Sequence, residues 1–358
     1  MTMKIKIDNT VLQEAIRVVS RLAPPVSGNI VIKTDGKKAW MQSTAEISRC
    51  SVLMPSTVSG ENLFAISLNT LRDATKGRKE LEIHYDKTLC KISASNYKCE
   101  LATVDALEVE ADKDTSKGEA IKLNSEQAEW LKSAVNTVAL KPNALLNTFM
   151  PVAIRLTNKS AFVACYDRDH IAYVNSKEIT GDMSIVLPFD TATAVLDVFH
   201  KAPFKLELGS SNLHVTNALV RASLSLPQED EESAIGLDAV VTQSKAASKA
   251  DGAQVEIEKA ALLEFLDNAR AVATKERSEI AITTDKGKVK FEIVTANGST
   301  RTVLKAACTT QTKAKVDFEF LDEAVRKCAG SVVMKIVNDA FINFQMKNSA
   351  VIVSLNQD

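Results

Sequence analysis

Three times along this chain a short strand pattern switches to helical spacing, so the chain must bury three similar helix-on-sheet units in succession. Lys4-Ile5-Lys6-Ile7-Asp8 runs into a helix over 11–22, residues 120–123 into one over 126–140, and residues 254–257 into one over 260–273. Asn9 or Thr10, and Asn124 or Ser125, are the expected N-caps, because their short polar side chains can accept from free backbone N–H groups. A second strand-then-helix step recurs in each third: 64–67 into 68–76, 184–188 into 189–200, and 315–318 into 319–328. Each third then closes with three short strands, at 81–85, 89–93 and 97–104, at 204–208, 213–216 and 220–226, and at 332–337, 341–345 and 350–355. Turn-rich gaps such as Gly209-Ser210-Ser211-Asn212 and Asn338-Asp339 make these strands antiparallel hairpins. Residue identity between the thirds is low, and the repeat lies in the order and spacing of the elements.

The expected fold class is α+β: three tandem repeats, each of two helices packed on antiparallel sheets. The expected boundaries are 1–117, 118–250 and 251–358, each long enough to bury a core. The joints are polar. Residues 110–119 are charged, and residues 228–252 begin with the acidic run Glu229-Asp230-Glu231-Glu232 and continue through Lys, Ala and Ser, which reads as a linker or exposed connecting loop.

Little in the sequence offers chemistry. No phosphate-cradling glycine loop, HExxH or GxSxG is present, and His84, His170, His200 and His214 are scattered. Cys165-Tyr166-Asp167-Arg168-Asp169-His170 is the densest polar cluster, and it reads as a charged turn between strands rather than a metal or acid–base site. The six cysteines form no CxxC pair and no zinc-like spacing with histidine, as expected of free thiols in a reducing compartment. The start, Met-Thr-Met-Lys-Ile-Lys-Ile, reads as a strand, and no apolar run reaches membrane-spanning length. The expectation is a soluble intracellular protein that is not an enzyme, carries no cofactor or metal, and has no membrane partner.

The helices carry a different signal. Leu12, Ala15, Ile16, Val19 and Leu22 make one apolar stripe, and Arg17 and Arg21 lie together on the opposite face. Arg72, Lys76, Arg78 and Lys79 follow on the second helix and just beyond it. Later helices bring Lys132, Lys201, Lys259, Arg270, Arg326 and Lys327. The predicted helices are net positive in a chain whose formal charge is −1, so the rest of the molecule is net negative. The first repeat has the strongest basic helix pair. The second is nearly neutral on its helices, which makes it the better candidate for docking partners.

Some local patterns add a family resemblance. Asp35-Gly36 followed by Trp40-Met41-Gln42-Ser43-Thr44-Ala45-Glu46, the stretch 163–172, and the apolar end Val351-Ile352-Val353-Ser354-Leu355 resemble the corresponding segments of bacterial DNA polymerase III β subunits, the sliding clamps. The resemblance covers the whole chain. The chain departs from the family at His170, where an Arg is usual, at Ile171 in place of Leu, at Leu226-Pro227-Gln228, and at the missing C-terminal proline, as a divergent member from a bacteriophage would.

The resemblance implies a ring-shaped homodimer around double-stranded DNA, closed by pairing edge strands of the first and third repeats. It implies a cytoplasmic, nucleoid-associated protein that tethers a DNA polymerase and meets a clamp-loader ATPase through short linear peptides. The twelve basic residues named above would face DNA, contacting phosphates without reading sequence. The peptide pocket would be formed by Tyr166, Arg168, Ile171, Pro227, Val351, Val353 and Leu355. The alternative is a monomeric clamp-fold polymerase accessory protein that holds DNA by charge without encircling it.

Overall fold

The structure is a computed structural model, and it describes residues 2–86, 88–106, 120–140, 150–167, 169–177, 179–226, 237–274, 278–308, 310–337 and 340–356. The joint at 110–119, the acidic run 229–232, Arg168 and Pro227 lie outside these residues. The chain divides into two compact units, and neither is continuous in sequence. One holds Met1–Lys132 with Asp190–Gln228, and the other holds Ser133–Phe189 with Glu229–Asp358. The helices are α1 (Asn9–Leu22), α2 (Leu68–Thr75), α3 (Ser125–Val138), α4 (Phe189–Phe199), α5 (Leu237–Lys249), α6 (Lys259–Arg270) and α7 (Phe318–Lys327). The division passes through α3 and falls after the first residue of α4.

In the first unit, α1 buries the predicted stripe: Leu12, Ala15, Ile16, Val19 and Leu22 are all under 5% exposed. Its cap differs from the sequence expectation. Asp8 is the N-cap and accepts from the Thr10 N–H at 2.7 Å. Asn9 is buried and donates from Nδ2 to the carbonyls of Thr75 and Arg78, satisfying the end of α2. At α3 the expected Asn124 cap forms, as a reciprocal pair in which Asn124 Oδ1 accepts from Gln127 N–H and Gln127 Oε1 accepts from Asn124 N–H.

Two antiparallel sheets fill this unit. The smaller has five strands, in the order Thr57–Ser59, Thr2–Asp8, Glu80–Asp86, Leu89–Ala94 and Tyr97–Ala102. Gly60 follows its first strand at φ +82, and a Cβ there would meet the Thr2 carbonyl oxygen at 2.3 Å. The larger sheet has eight strands, in the order Ile121–Leu123, Phe204–Leu208, Asn212–Thr216, Val220–Ser225, Ser48–Met54, Ala39–Thr44, Asn29–Asp35 and Glu61–Ser67. Its middle joins strands from different thirds of the sequence, with Val220 opposite Val52 and Leu224 opposite Ser48.

The second unit repeats that device. Its twelve-stranded sheet runs Met183–Pro188, Pro151–Thr157, Ser160–Tyr166, His170–Ser176, Ser349–Ser354, Phe341–Gln345, Val332–Val337, Ala253–Ile257, Gly298–Cys308, Lys288–Thr295, Glu279–Asp285 and Thr312–Asp317. The junction pairs Ile171 with Ile352 and Ala172 with Val351.

One expectation fails here. Part of the segment read as a linker or exposed loop is the helix α5, and it is anchored. Leu237, Val240, Val241 and Ala247 are buried against Phe162, Tyr166, Ile171, Tyr173 and Ile352 on one face of the sheet. The polar, Lys-rich composition of 237–249 hid an apolar stripe of only four residues, spaced for a helix.

Among the described residues no helix is long and apolar enough to cross a membrane, and no three His, Cys, Asp or Glu side chains converge as a metal site. All six cysteines are free and five are buried. Burial pushes the Cys50 and Cys90 thiols up to about 12, which leaves them protonated and inert.

Val240 is fully buried beneath α5. Val240→Asp should destabilise the chain by about 3 kcal/mol or more and open 237–249 to protease, since it sets an unpaired carboxylate against the aromatic face. Val240→Leu should be tolerated far better. Urea unfolding and limited proteolysis check both.

Candidate nucleic-acid interface

In the first unit the basic residues of α1, α3 and α4 share one network. Glu14 binds Arg17 through two hydrogen bonds, at 2.8 and 2.6 Å. Asp197 on α4 takes Arg21 at 3.1 Å and Lys132 at 3.2 Å. His200 donates from Nδ1 to the Leu196 carbonyl at 2.7 Å, so its Nε2 is free to accept from Lys132 Nζ at 3.3 Å. Desolvation raises the Asp197 carboxyl, but Lys132 and then Arg21 outweigh it and hold the group below the ordinary aspartate range.

The basic end of α2 is more open. Arg72 reaches back to Ser20 Oγ at 3.1 Å, and Arg78 lies 4.0 Å over the Tyr97 ring. Lys76, Lys79 and Lys201 are exposed and enter no ion pair with a described residue. Of the twelve basic residues expected to face DNA, these three are the most available to a phosphate.

The second unit uses its basic residues differently. Asp322 on α7 is 1% exposed and receives Arg270 at 2.6 Å and Arg326 at 2.9 Å, while Arg326 also reaches Asp267 at 2.7 Å. The Asp322 and Asp267 hydrogen bonds raise the Arg326 guanidinium further above its ordinary value. Lys259 Nζ donates to the carbonyls of Arg326 and Cys328, closing the C-terminal end of α7. Lys327 Nζ does the same for α3, through the carbonyls of Thr137 and Ala139, and desolvation there lowers its ammonium from the ordinary lysine value. Lys259, Arg270, Arg326 and Lys327 therefore bind helix ends and a buried carboxylate. Sequence spacing located these cations but not the anionic partners that other helices supply: Asp197 lies 176 residues from Arg21, and Asp322 lies 52 from Arg270.

The described members of the expected peptide pocket do not converge on one open face. Tyr166 and Ile171 lie under α5 with Ile352. Val351 pairs with Ala172 and Val353 with His170, on the opposite face of the same strands. All four, with Leu355, are under 9% exposed.

His170 shows how the Cys165–His170 stretch is used. It is 2% exposed, donates from Nδ1 to Asp167 at 2.7 Å, and stacks on Phe320 with ring centroids 4.4 Å apart. Asp167 also receives the backbone N–H groups of Asp169 and His170, which closes a tight turn.

No protein-family model matches the chain, and no curated protein matches its sequence. Solved structures do match. The DNA polymerase III β subunit of Pseudomonas aeruginosa superposes at TM-score 0.82 with 11% identity, covering 99% of this chain and 100% of that one. The β subunit of Thermotoga maritima gives 0.81 with 13% identity over the same shares. The DNA polymerase sliding clamp of Bacillus subtilis gives 0.80 with 11% identity, covering all of both chains. This is the sliding-clamp fold. A Pseudomonas aeruginosa clamp of this fold has also been solved bound to griselimycin. The clamp fold is carried here on a sequence whose basic helix faces are largely paired internally.

Two measurements separate structural from available cations. The double variant Arg270→Ala/Arg326→Ala leaves Asp322 buried without either guanidinium and should cost about 3–5 kcal/mol in urea unfolding. Lys76→Ala/Lys79→Ala should stay within about 0.5 kcal/mol. The second measurement is pH-dependent. The folded pKa of Asp197 is depressed, so its contribution is complete above the ordinary aspartate range and is lost as pH falls through the depressed value. The stability gap between wild type and Asp197→Asn should therefore be flat near neutrality and close on acidification.

Proposed function

We propose that this protein is a replication processivity factor, a clamp that two copies close around double-stranded DNA to tether a polymerase. The observation that carries this reading is coextension: the fold match runs over essentially the whole of this chain and the whole of each solved clamp. The three recurring strand–helix steps of the sequence, with boundaries near 117 and 250, would be the three repeats of such a clamp. A cytoplasmic location belongs to the same reading.

Two open strand edges support closure by a second copy. Tyr97–Ala102 ends the five-stranded sheet, and among the described residues no strand pairs with its outer side. Gly298–Cys308 pairs along 298–305 with Lys288–Thr295, and on its other side it meets Ala253–Ile257 only at 306–308. Tyr97, Cys99 and Leu101 on one edge, and Thr300, Thr302 and Leu304 on the other, are half-buried. Unpaired edges of this length invite another chain, and joining one edge to the other in a second copy satisfies both.

The DNA-facing surface of this proposal is built first from Lys76, Arg78, Lys79 and Lys201, then from Arg17, Arg21, Arg72 and Lys132, whose charge is shared with Glu14 and Asp197. Partial internal neutralisation suits a ring that must slide, because it weakens phosphate contact without removing it. A polymerase or loader peptide reaches Tyr166 and Ile171 only if α5 moves.

The decisive experiment is topological. A two-chain mass in solution, and retention on nicked circular DNA that is lost when the circle is cut, are expected. A protein that stays monomeric at micromolar concentration and holds linear and circular DNA equally is the charge-bound accessory factor instead. Within the clamp, Lys76→Glu/Lys79→Glu should weaken DNA binding and flatten its salt dependence by about two units of slope. Asp197→Asn should strengthen binding by releasing Arg21 and Lys132.

A further inference from the structure

We propose that the open face of the eight-stranded sheet docks an acidic peptide segment of a partner protein that carries one large apolar anchor. In the strands Ala39–Thr44 and Ser48–Met54, Met41, Cys50 and Val52 are buried on the side where α1 packs. Trp40, Gln42, Arg49, Ser51 and Leu53 alternate with them and point the other way. This second face lines an open basin of about 1160 Å³.

Its charge is mostly positive, with six Lys and Arg side chains lining it against Asp35 and Glu207. Lys122 is directly opposite Lys205, Lys205 is opposite Thr216, Thr216 is opposite Arg221, and Arg49 lies on the strand paired with Arg221's. The result is a row crossing five strands, with a cation on four of them. Like charges set directly opposite each other on one face of a sheet are destabilising. Lys122, Lys205, Arg221 and Arg49 are all exposed, and none forms an ion pair with a described residue. The free protein therefore keeps a repulsive row without an ion pair among the described residues, whereas Arg17, Arg21 and Lys132 in the same unit are paired with Glu14 and Asp197. Two polar atoms in the same basin, Gln42 Oε1 and His214 Nε2, are buried without a hydrogen-bond partner among the described residues.

Beside the row is an apolar corner. Trp40 is opposite Leu53, and Leu53 N–H donates to the carbonyl of Leu219, whose side chain is 46% exposed. A cationic row with one aliphatic and aromatic corner matches carboxylates followed or preceded by a single large apolar side chain. It matches single-stranded nucleic acid less well, because Trp40 is the one aromatic ring in the basin that could stack on a base in an open position. The face also lies on the opposite side of its sheet from α1, which carries Arg17 and Arg21. In the second unit one face of the twelve-stranded sheet is aromatic and is already covered by this chain's own α5. The basin in the first unit has no such cover among the described residues.

The test uses the full chain with Trp130→Phe, which leaves Trp40 as its one tryptophan. The probes are a synthetic peptide with one Phe beside five Glu, the same peptide with Gln for Glu, an oligothymidylate, and inorganic phosphate. Saturable binding of the Glu peptide, with a change in Trp40 fluorescence and steep loss at raised salt, is expected. Lys205→Glu/Arg221→Glu should weaken it roughly tenfold or more. Lys205→Glu alone should raise the melting temperature of the free protein, because it turns the repulsive Lys122 pair into an attractive one. That gain in stability with a loss of binding is an outcome a merely structural row would not produce. Equal binding of the Gln peptide, an unchanged affinity in the double variant, or no saturable binding overturns the proposal. Tighter binding of oligothymidylate at the same residues, or phosphate alone reproducing the fluorescence change, overturns it as well. Retention on circular DNA should be unaffected by these variants, so the outcome is independent of whether the ring reading holds.

Discussion

Two antiparallel ladders, one in each compact unit, are the constraint on which the rest of the molecule depends. Val220–Ser225 pairs with Ser48–Met54, and His170–Ser176 pairs with Ser349–Ser354. Each ladder joins strands more than 150 residues apart and turns two small sheets into one large one. Backbone hydrogen bonds are individually modest, about 1 kcal/mol net. Their larger effect is to remove four strand edges that would otherwise stand open. The strands on either side then have to share a curvature and a buried face, and α1, α6 and α7 are set by packing on those faces.

That arrangement explains how the charged helices are used. A helix held on a continuous sheet has its ends and its polar face placed against neighbouring helices, where unsatisfied carbonyls need donors. Lys259 and Lys327 meet that need at the ends of α7 and α3. Asp322, driven into the core by its place on α7, needs Arg270 and Arg326. Of the cations expected to face DNA, those that remain available are at and beyond the end of α2 and at Lys201, which meet no helix end and no buried carboxylate among the described residues. The uneven distribution of positive charge is thus a consequence of packing as much as of composition.

The same sheets also decide what is covered. In the second unit α5 closes an aromatic face, and the side chains of Tyr166 and Ile171 become core. In the first unit the corresponding choice was a polar, cationic surface, with Lys122 and Lys205 opposed across neighbouring strands. A surface that retains repulsion of this kind has another partner in view than its own chain.

By itself the sequence determined the helices and strands that read as three repeats. The alternation of Lys4-Ile5-Lys6-Ile7 and the stripe Leu12, Ala15, Ile16, Val19 and Leu22 are local, and local periodicity dictates which face is buried wherever the element sits. It also determined the absence of recognisable catalytic motifs and the family likeness of the 163–172 turn. It did not determine the Asp8 cap or α5, because a short apolar stripe in a Lys- and Ser-rich stretch has no strong period. Only the tertiary structure decided which strands join across distant parts of the chain, which cations meet Asp197 and Asp322, and that Val351 and Ile171 end on opposite faces of one sheet. Those outcomes are set by register between segments far apart in the chain, and a one-residue shift in register exchanges every inward side chain for an outward one.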